Sequence, residues 1–216
     1  MVNQKKQILI VILYLIIFRF MFLHLFFPLA ENAFSQAAFS AFRLTCVLIF
    51  SIVLCTLSWR TLYQSYVSVS RNPLRDCGKT VICLLAMVTV QLCGASLRTM
   101  IHSEAGLNAA FNVSLFQNDP FGMVLMSAVF MPLIEELVFR HSLYELLCRT
   151  VSEKTAVISV SVLFALLHTL PVSMGTCIVF CVYMLCGIFL QTLYLHTSLL
   201  PCVLVHAVYN LLAVLV

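Results

Sequence analysis

The sequence predicts an all-α fold, a polytopic bundle of about seven transmembrane helices, with six to eight in range. Three observations lead there. Of 216 residues, 62% are hydrophobic and only 9% charged, whereas an average soluble domain is about 25% charged. A soluble core built from such a chain would leave an apolar surface that aggregates. Several apolar runs also approach the roughly 20 residues a helix needs to cross about 30 Å of hydrocarbon at about 1.5 Å per residue. Finally, Lys and Arg are unevenly shared among the connections, as membrane orientation requires.

The elements follow in order. A first span over residues 7–29 comes after Lys5 and Lys6. Its apolar run exceeds the 7 to 15 residues of a secretory signal, so it is expected to be retained. Spans over 42–59 and 80–101 flank a connection, 60–79, which the Asn72-Pro73 turn signal marks as a loop. A second loop is expected over 102–120, where Asn118-Asp119-Pro120 precedes a helix. The segment 121–147 is long and carries Glu135, Glu136 and Arg140, which points to a tilted, broken or partly interfacial helix. Residues 156–170 are short for a crossing, and 173–194 and 198–216 complete the set.

The net charge of +4 does not indicate nucleic-acid binding, because the basic residues are dispersed around helix ends. Arg60, Arg71, Arg75 and Lys79 lie in the second connection, and Arg149 and Lys154 in the fourth. The first and third connections hold Glu31, Glu104 and Asp119 instead. The N-terminus and the even-numbered connections are therefore expected in the cytoplasm, with the plasma membrane as the host bilayer. Eight of the ten cysteines, from Cys46 to Cys202, fall in apolar spans, where Cys behaves as a small hydrophobe. No CxxC pair supports a thiolate zinc site. The ending Ala213-Val214-Leu215-Val216 lacks the Cys that prenylation of this chain itself would need.

Ionisable groups inside hydrocarbon cost about 2.5 to 3.5 kcal/mol each on insertion scales, so each needs a reason. Glu136 and Arg140 stand at i and i+4, share a helix face and can pair. Glu135 points about 100° away, free to face a cavity. His206 and Asn210 repeat the i, i+4 spacing, as do Phe164 and His168. Brought together, these residues would supply a carboxylate base for water, an imidazole to relay protons and donors for a developing oxyanion, which amide hydrolysis requires. Glu135, His168 and His206 could equally supply the three ligands of an open catalytic site for a divalent metal such as zinc.

Other polar residues have plainer readings. His24 and His196 are expected to hydrogen-bond between helices, Arg19, Arg43 and Arg98 to snorkel or pair, and Gln91 and Gln191 to join helices. A purely structural ion pair would explain Glu136 and Arg140 but not Glu135.

The three patterns EExxxR, FxxxH and HxxxN, present in this order as Glu135 to Arg140, Phe164 to His168 and His206 to Asn210, resemble those of the CPBP family, the CAAX proteases and bacteriocin-processing enzymes also called Abi. The resemblance covers about 121–212. It divides the chain into N-terminal membrane helices, 1–120, without a family motif, and a catalytic-type membrane core, 121–216. One departure is His141, where family members often have Gly. The resemblance implies an intramembrane endopeptidase acting on membrane-associated peptides or proteins, with prenylated C-termini the eukaryotic substrates. It further implies that Glu135 activates water with His168, that Glu136 and Arg140 order the site, and that His206 with Asn210 holds the oxyanion. The resemblance leaves open whether a metal takes part. A non-catalytic immunity or interaction protein, and an ion-coupled transporter using the same buried groups, are the competing classes.

Overall fold

The computed structural model describes residues 4–100, 119–169 and 174–215. Among the described residues the chain is helical throughout, without a strand. Helix α1 begins as Gln4–Ile12, widens into a π-helical stretch over Leu13–Phe26 and returns to α geometry over Phe27–Ala33. Helix α2, Gln36–Leu57, starts at Ser35, whose side chain accepts from the Ala38 N–H. Then follow α3 (Trp59–Arg71), α4 (Pro73–Met100), α5 (Pro120–Leu147), α6 (Glu153–Thr169), α7 (Met174–His196) and α8 (Leu199–Leu215).

Four of these helices are long and apolar enough to cross a membrane: Gln36–Leu57, Pro73–Met100, Pro120–Leu147 and Thr176–His196. The other three expected spans correspond to the composite α1 and to α6 and α8, each of the latter two 17 residues long. Polarity is inverted relative to a soluble protein. Glu135, Glu136, Arg140 and Gln191 are buried, whereas Ile49, Ile52, Ile82, Leu85 and Leu92 are each more than half exposed. Hydrocarbon is the solvent that suits such a surface, and the chain is an integral multi-pass membrane protein.

The connection 60–79 is not the expected loop. Residues 59–71 form α3, and only Asn72 interrupts the helix before Pro73 starts α4 in the position where a missing N–H costs nothing. Helix α3 is amphipathic, so it lacks the long apolar run by which spans are recognised. Its inner side holds Leu62 against the core, and the Ser65 hydroxyl accepts from Leu200 N–H at 2.7 Å and donates to Ser198 Oγ at 2.9 Å. Its outer side shows Trp59, Tyr63 and Tyr66, rings suited to a membrane interface. The second expected loop lies outside the described residues except at its end. There Asp119 Oδ1 accepts from Gly122 N–H at 2.9 Å and caps α5.

Helix α5 is unbroken, but two π-helical stretches, Met126–Phe130 and Leu137–Leu143, widen it. Such widenings occur often at functional sites. Around α5 the apolar core forms two bodies. One gathers α1, α2, α5 and α6 through Tyr14, Phe18, Phe50, Phe139 and Phe164, and the other joins α4, α7 and α8 through Met87, Cys186, Leu190, Cys202 and Val205. Helices α6 and α7 approach closely at Gly187, where an added Cβ would lie 3.1 Å from that of Ser161. Small residues allow such contact between membrane helices.

Candidate active site

The described structure brings Glu135, Glu136, Arg140, His168 and His206 together from α5, α6 and α8. Glu136 and Arg140 form the expected pair, Oε2 to Nε at 3.0 Å, with both side chains wholly buried. Glu136 also does something the helical spacing did not reveal. Its other oxygen, Oε1, stands 2.8 Å from Nδ1 of His206. One carboxylate therefore ties α5 to α8 as well as to its own next turn. Arg140 lays its guanidinium carbon 5.0 Å from the Phe164 ring centre, a cation–π contact. Its Nη1 and Nη2 are buried without a hydrogen-bond partner among the described residues.

Glu135 is 3% exposed and points to the other side. Its Oε1 faces Nε2 of His168 at 3.6 Å, and its Oε2 faces Nε2 of His206 at 3.8 Å. The two rings are oriented by their other nitrogens. His168 Nδ1 lies 2.7 Å from the Phe164 carbonyl oxygen, which can only accept, so Nδ1 carries the hydrogen. His206 Nδ1 likewise donates to the Glu136 carboxylate. In the neutral form both rings then turn an Nε2 lone pair toward Glu135. The His168 ring is further held against Phe164 and Tyr183, with centroids at 4.4 and 4.7 Å.

Asn210 follows His206 by one turn, but its amide donates to the Ser127 carbonyl at 2.9 Å. That bond joins α8 to the first π-helical stretch of α5 and occupies one of the two amide hydrogens. The donor types of Glu135, His168 and His206 suit zinc, and each imidazole has an acceptor behind it, as metal-bound histidines do. In spacing they fall short: among the described residues no three His, Cys, Asp or Glu side chains are grouped to hold a metal ion.

The remaining polar residues divide. Gln91 accepts from Tyr209 Oη at 3.0 Å and joins α4 to α8, as expected. Gln191 does not act as interhelical glue among the described residues, since its buried amide has no partner there. His196 is exposed and bonds the Thr192 carbonyl of its own helix at 2.9 Å, because it lies at the helix end and not between helices. The His24 side chain lies outside the described residues. Arg43 pairs with Asp119 at 3.6 Å, and Arg19 Nη2 donates to the Leu167 carbonyl.

His141 stands apart from the site. It is buried, with Nε2 at 2.9 Å from Thr61 Oγ1 and Nδ1 at 2.9 Å from Glu145 Oε1. Glu145 also receives hydrogen bonds from Gln7 and Tyr194, so this second network joins α1, α3, α5 and α7.

Residues 117–212 match the family model described as type II CAAX prenyl endopeptidase Rce1-like. No curated protein and no solved structure matches the chain. All three motif pairs lie inside the matched segment, and so do the residues whose side chains meet around Glu135. Residues 117–212, somewhat under half of the chain, are thus similar to the Rce1-like type II CAAX prenyl endopeptidases of the CPBP family.

Proposed function

We propose that the protein is an intramembrane endopeptidase that hydrolyses a peptide bond of a membrane-associated protein or peptide, with Glu135 as the general base. The observation that carries this reading is the buried Glu135 carboxylate, faced by the Nε2 atoms of two imidazoles whose Nδ1 atoms are already engaged. This is an acceptor-rich cluster. A water entering it would donate its protons to Glu135 and His168, leaving an oxygen lone pair aimed outward.

Glu135 takes a proton as the water oxygen bonds to the scissile carbonyl carbon, and the carbonyl π pair moves onto its oxygen. The C–N bond then breaks while the proton passes from Glu135, by way of His168, to the leaving nitrogen. An acid and an amine result, and Glu135 is regenerated. His206 serves the oxyanion only as imidazolium, since its Nδ1–H is committed to Glu136 and the oxyanion needs an Nε2–H. The second N–H of Asn210 is the neutral donor available one turn on. A zinc ion held by Glu135, His168 and His206 would supply Lewis-acid activation of water, and no step above requires it.

The test is cleavage of lipidated peptides by the purified protein in lipid nanodiscs. Wild type should cleave and Glu135→Gln should lose activity by several orders of magnitude while keeping its fold. Equal activity of the two would overturn the assignment, and no cleavage by wild type would favour a non-catalytic interaction protein. The Lys/Arg distribution supports an N-terminus in the cytoplasm, and the plasma membrane is taken as the host bilayer. A cysteine placed at Arg71 in a Cys-free variant should then resist impermeant thiol reagents added outside intact cells, and labelling there would reverse the orientation.

A further inference from the structure

Helix α1 lies outside the family match, yet it packs on the second π-helical stretch of α5 and delivers two polar groups beside the site. Tyr14 is completely buried, stacked on Phe18 at 5.9 Å and edge-on to Phe139 at 5.7 Å, and its hydroxyl has no hydrogen-bond partner among the described residues. Arg19 donates through Nη2 to the carbonyl of Leu167, the residue before His168, while its Nε is buried and unpartnered among the described residues. The i, i+5 winding of the π-helical stretch places residues 14 and 19 on one side. Arg19 thereby reaches the backbone next to His168, and Tyr14 reaches the ring of Phe139, one helical turn on from Glu135.

A phenol and a guanidinium left with unused donors in a membrane interior are costly, because each forfeits its hydration without replacement. The cost makes sense where the missing acceptor arrives with a ligand. Two donors, one cationic, at the edge of a general base call for a negatively charged oxygen, and Arg19 offsets the repulsion that Glu135 would exert on it.

We propose that Tyr14 and Arg19 form an anion subsite of the active site that binds a negatively charged substrate oxygen. The proposal rests on the endopeptidase reading. Two sources supply that oxygen in the same reaction: the terminal carboxylate of a substrate cut near its C-terminus, and the oxyanion of the tetrahedral intermediate. The N-terminal helix is then part of the active site and not only a packing element.

Two lipidated peptides identical except for a C-terminal acid or amide separate the sources. Binding is read by fluorescence anisotropy in the non-cleaving Glu135→Gln background, and kcat and KM are read in the otherwise unchanged enzyme, each with Arg19→Gln, Arg19→Lys and Tyr14→Phe. A carboxylate site predicts that the acid binds about 10-fold or more tightly than the amide, that Arg19→Gln removes the difference and that Arg19→Lys partly restores it. An oxyanion site predicts that acid and amide behave alike, with kcat falling about 10²-fold on both for Arg19→Gln at unchanged KM. Tyr14→Phe, which keeps the ring packing, should show the smaller version of either pattern and carries the test should Arg19→Gln fail to fold. Variants that match wild type in kcat, KM and acid-to-amide ratio would overturn the proposal and leave Arg19 as a tie to Leu167. If wild type cleaves neither peptide, the endopeptidase reading falls by itself, while the binding arm still reports on the subsite.

Discussion

His206 Nδ1 stands 2.8 Å from Glu136 Oε1 across 70 positions of sequence. Because the other Glu136 oxygen is held by Arg140, a single buried carboxylate orients an imidazole on α8 and anchors a guanidinium on α5. The two adjacent glutamates thus have separate tasks: Glu135 faces the histidine Nε2 atoms, and Glu136 holds the scaffold.

That separation predicts different outcomes for the two residues. Removing either partner of the Glu136–Arg140 pair leaves an uncompensated buried charge, a loss of about 3 to 5 kcal/mol. Glu136→Gln and Arg140→Ala should therefore lower thermal stability in nanodiscs as well as activity, whereas Glu135→Gln should lose activity with little change in Tm. Equal Tm losses for all three, measured by tryptophan fluorescence or scanning calorimetry, would mark the cluster as structural only.

Asn210 tests the oxyanion assignment. Loss of one oxyanion donor typically costs about 10² or more in turnover, so Asn210→Ala should lower kcat by that order with KM little changed. The same substitution frees the Ser127 carbonyl, which should cost about 1 kcal/mol of stability. A variant with the expected drop in Tm but normal kcat would reduce Asn210 to a strut between α8 and α5.

Exhaustive chelation tests the metal question. With Glu135 and His168 activating water directly, activity should survive removal of divalent ions. Stoichiometric zinc in the purified protein, with activity lost on chelation and restored by zinc, would reassign Glu135, His168 and His206 as ligands.

His141 predicts a change in stability without a change in chemistry. His141→Gly, which restores the residue common in the family the motifs resemble, removes the hydrogen bonds to Thr61 and Glu145 and creates a cavity at a position only 1% exposed. Stability should fall by about 2 to 4 kcal/mol, with kcat per folded molecule unchanged. A large fall in kcat at normal Tm would place the second network in the reaction.

Much of this was legible from local spacing. The i, i+4 relation between Glu136 and Arg140 requires only that 120–147 be helical, and the structure contains that pair at 3.0 Å. The Asn72-Pro73 and Asp119-Pro120 signals likewise mark real helix boundaries. Helix α3 escaped because the search for spans looks for long apolar runs, and an interfacial helix with polar residues on every turn has none. Arg19 had a signal of its own, a charge in the middle of an apolar run, but snorkelling was the ordinary explanation.

The sequence by itself determined that the chain is a membrane helix bundle, because hydrophobic content and run length depend only on composition and on the helical rise. It also determined which polar residues share a helix face, because the helical period is a local property. Which faces meet was decided by tertiary structure alone. The Glu136–His206 bond, the commitment of Asn210 to Ser127 and the bond from Arg19 to the Leu167 carbonyl each join helices far apart in the chain. Such contacts depend on helix rotation, depth and crossing, which side-chain packing sets and spacing along one helix cannot encode.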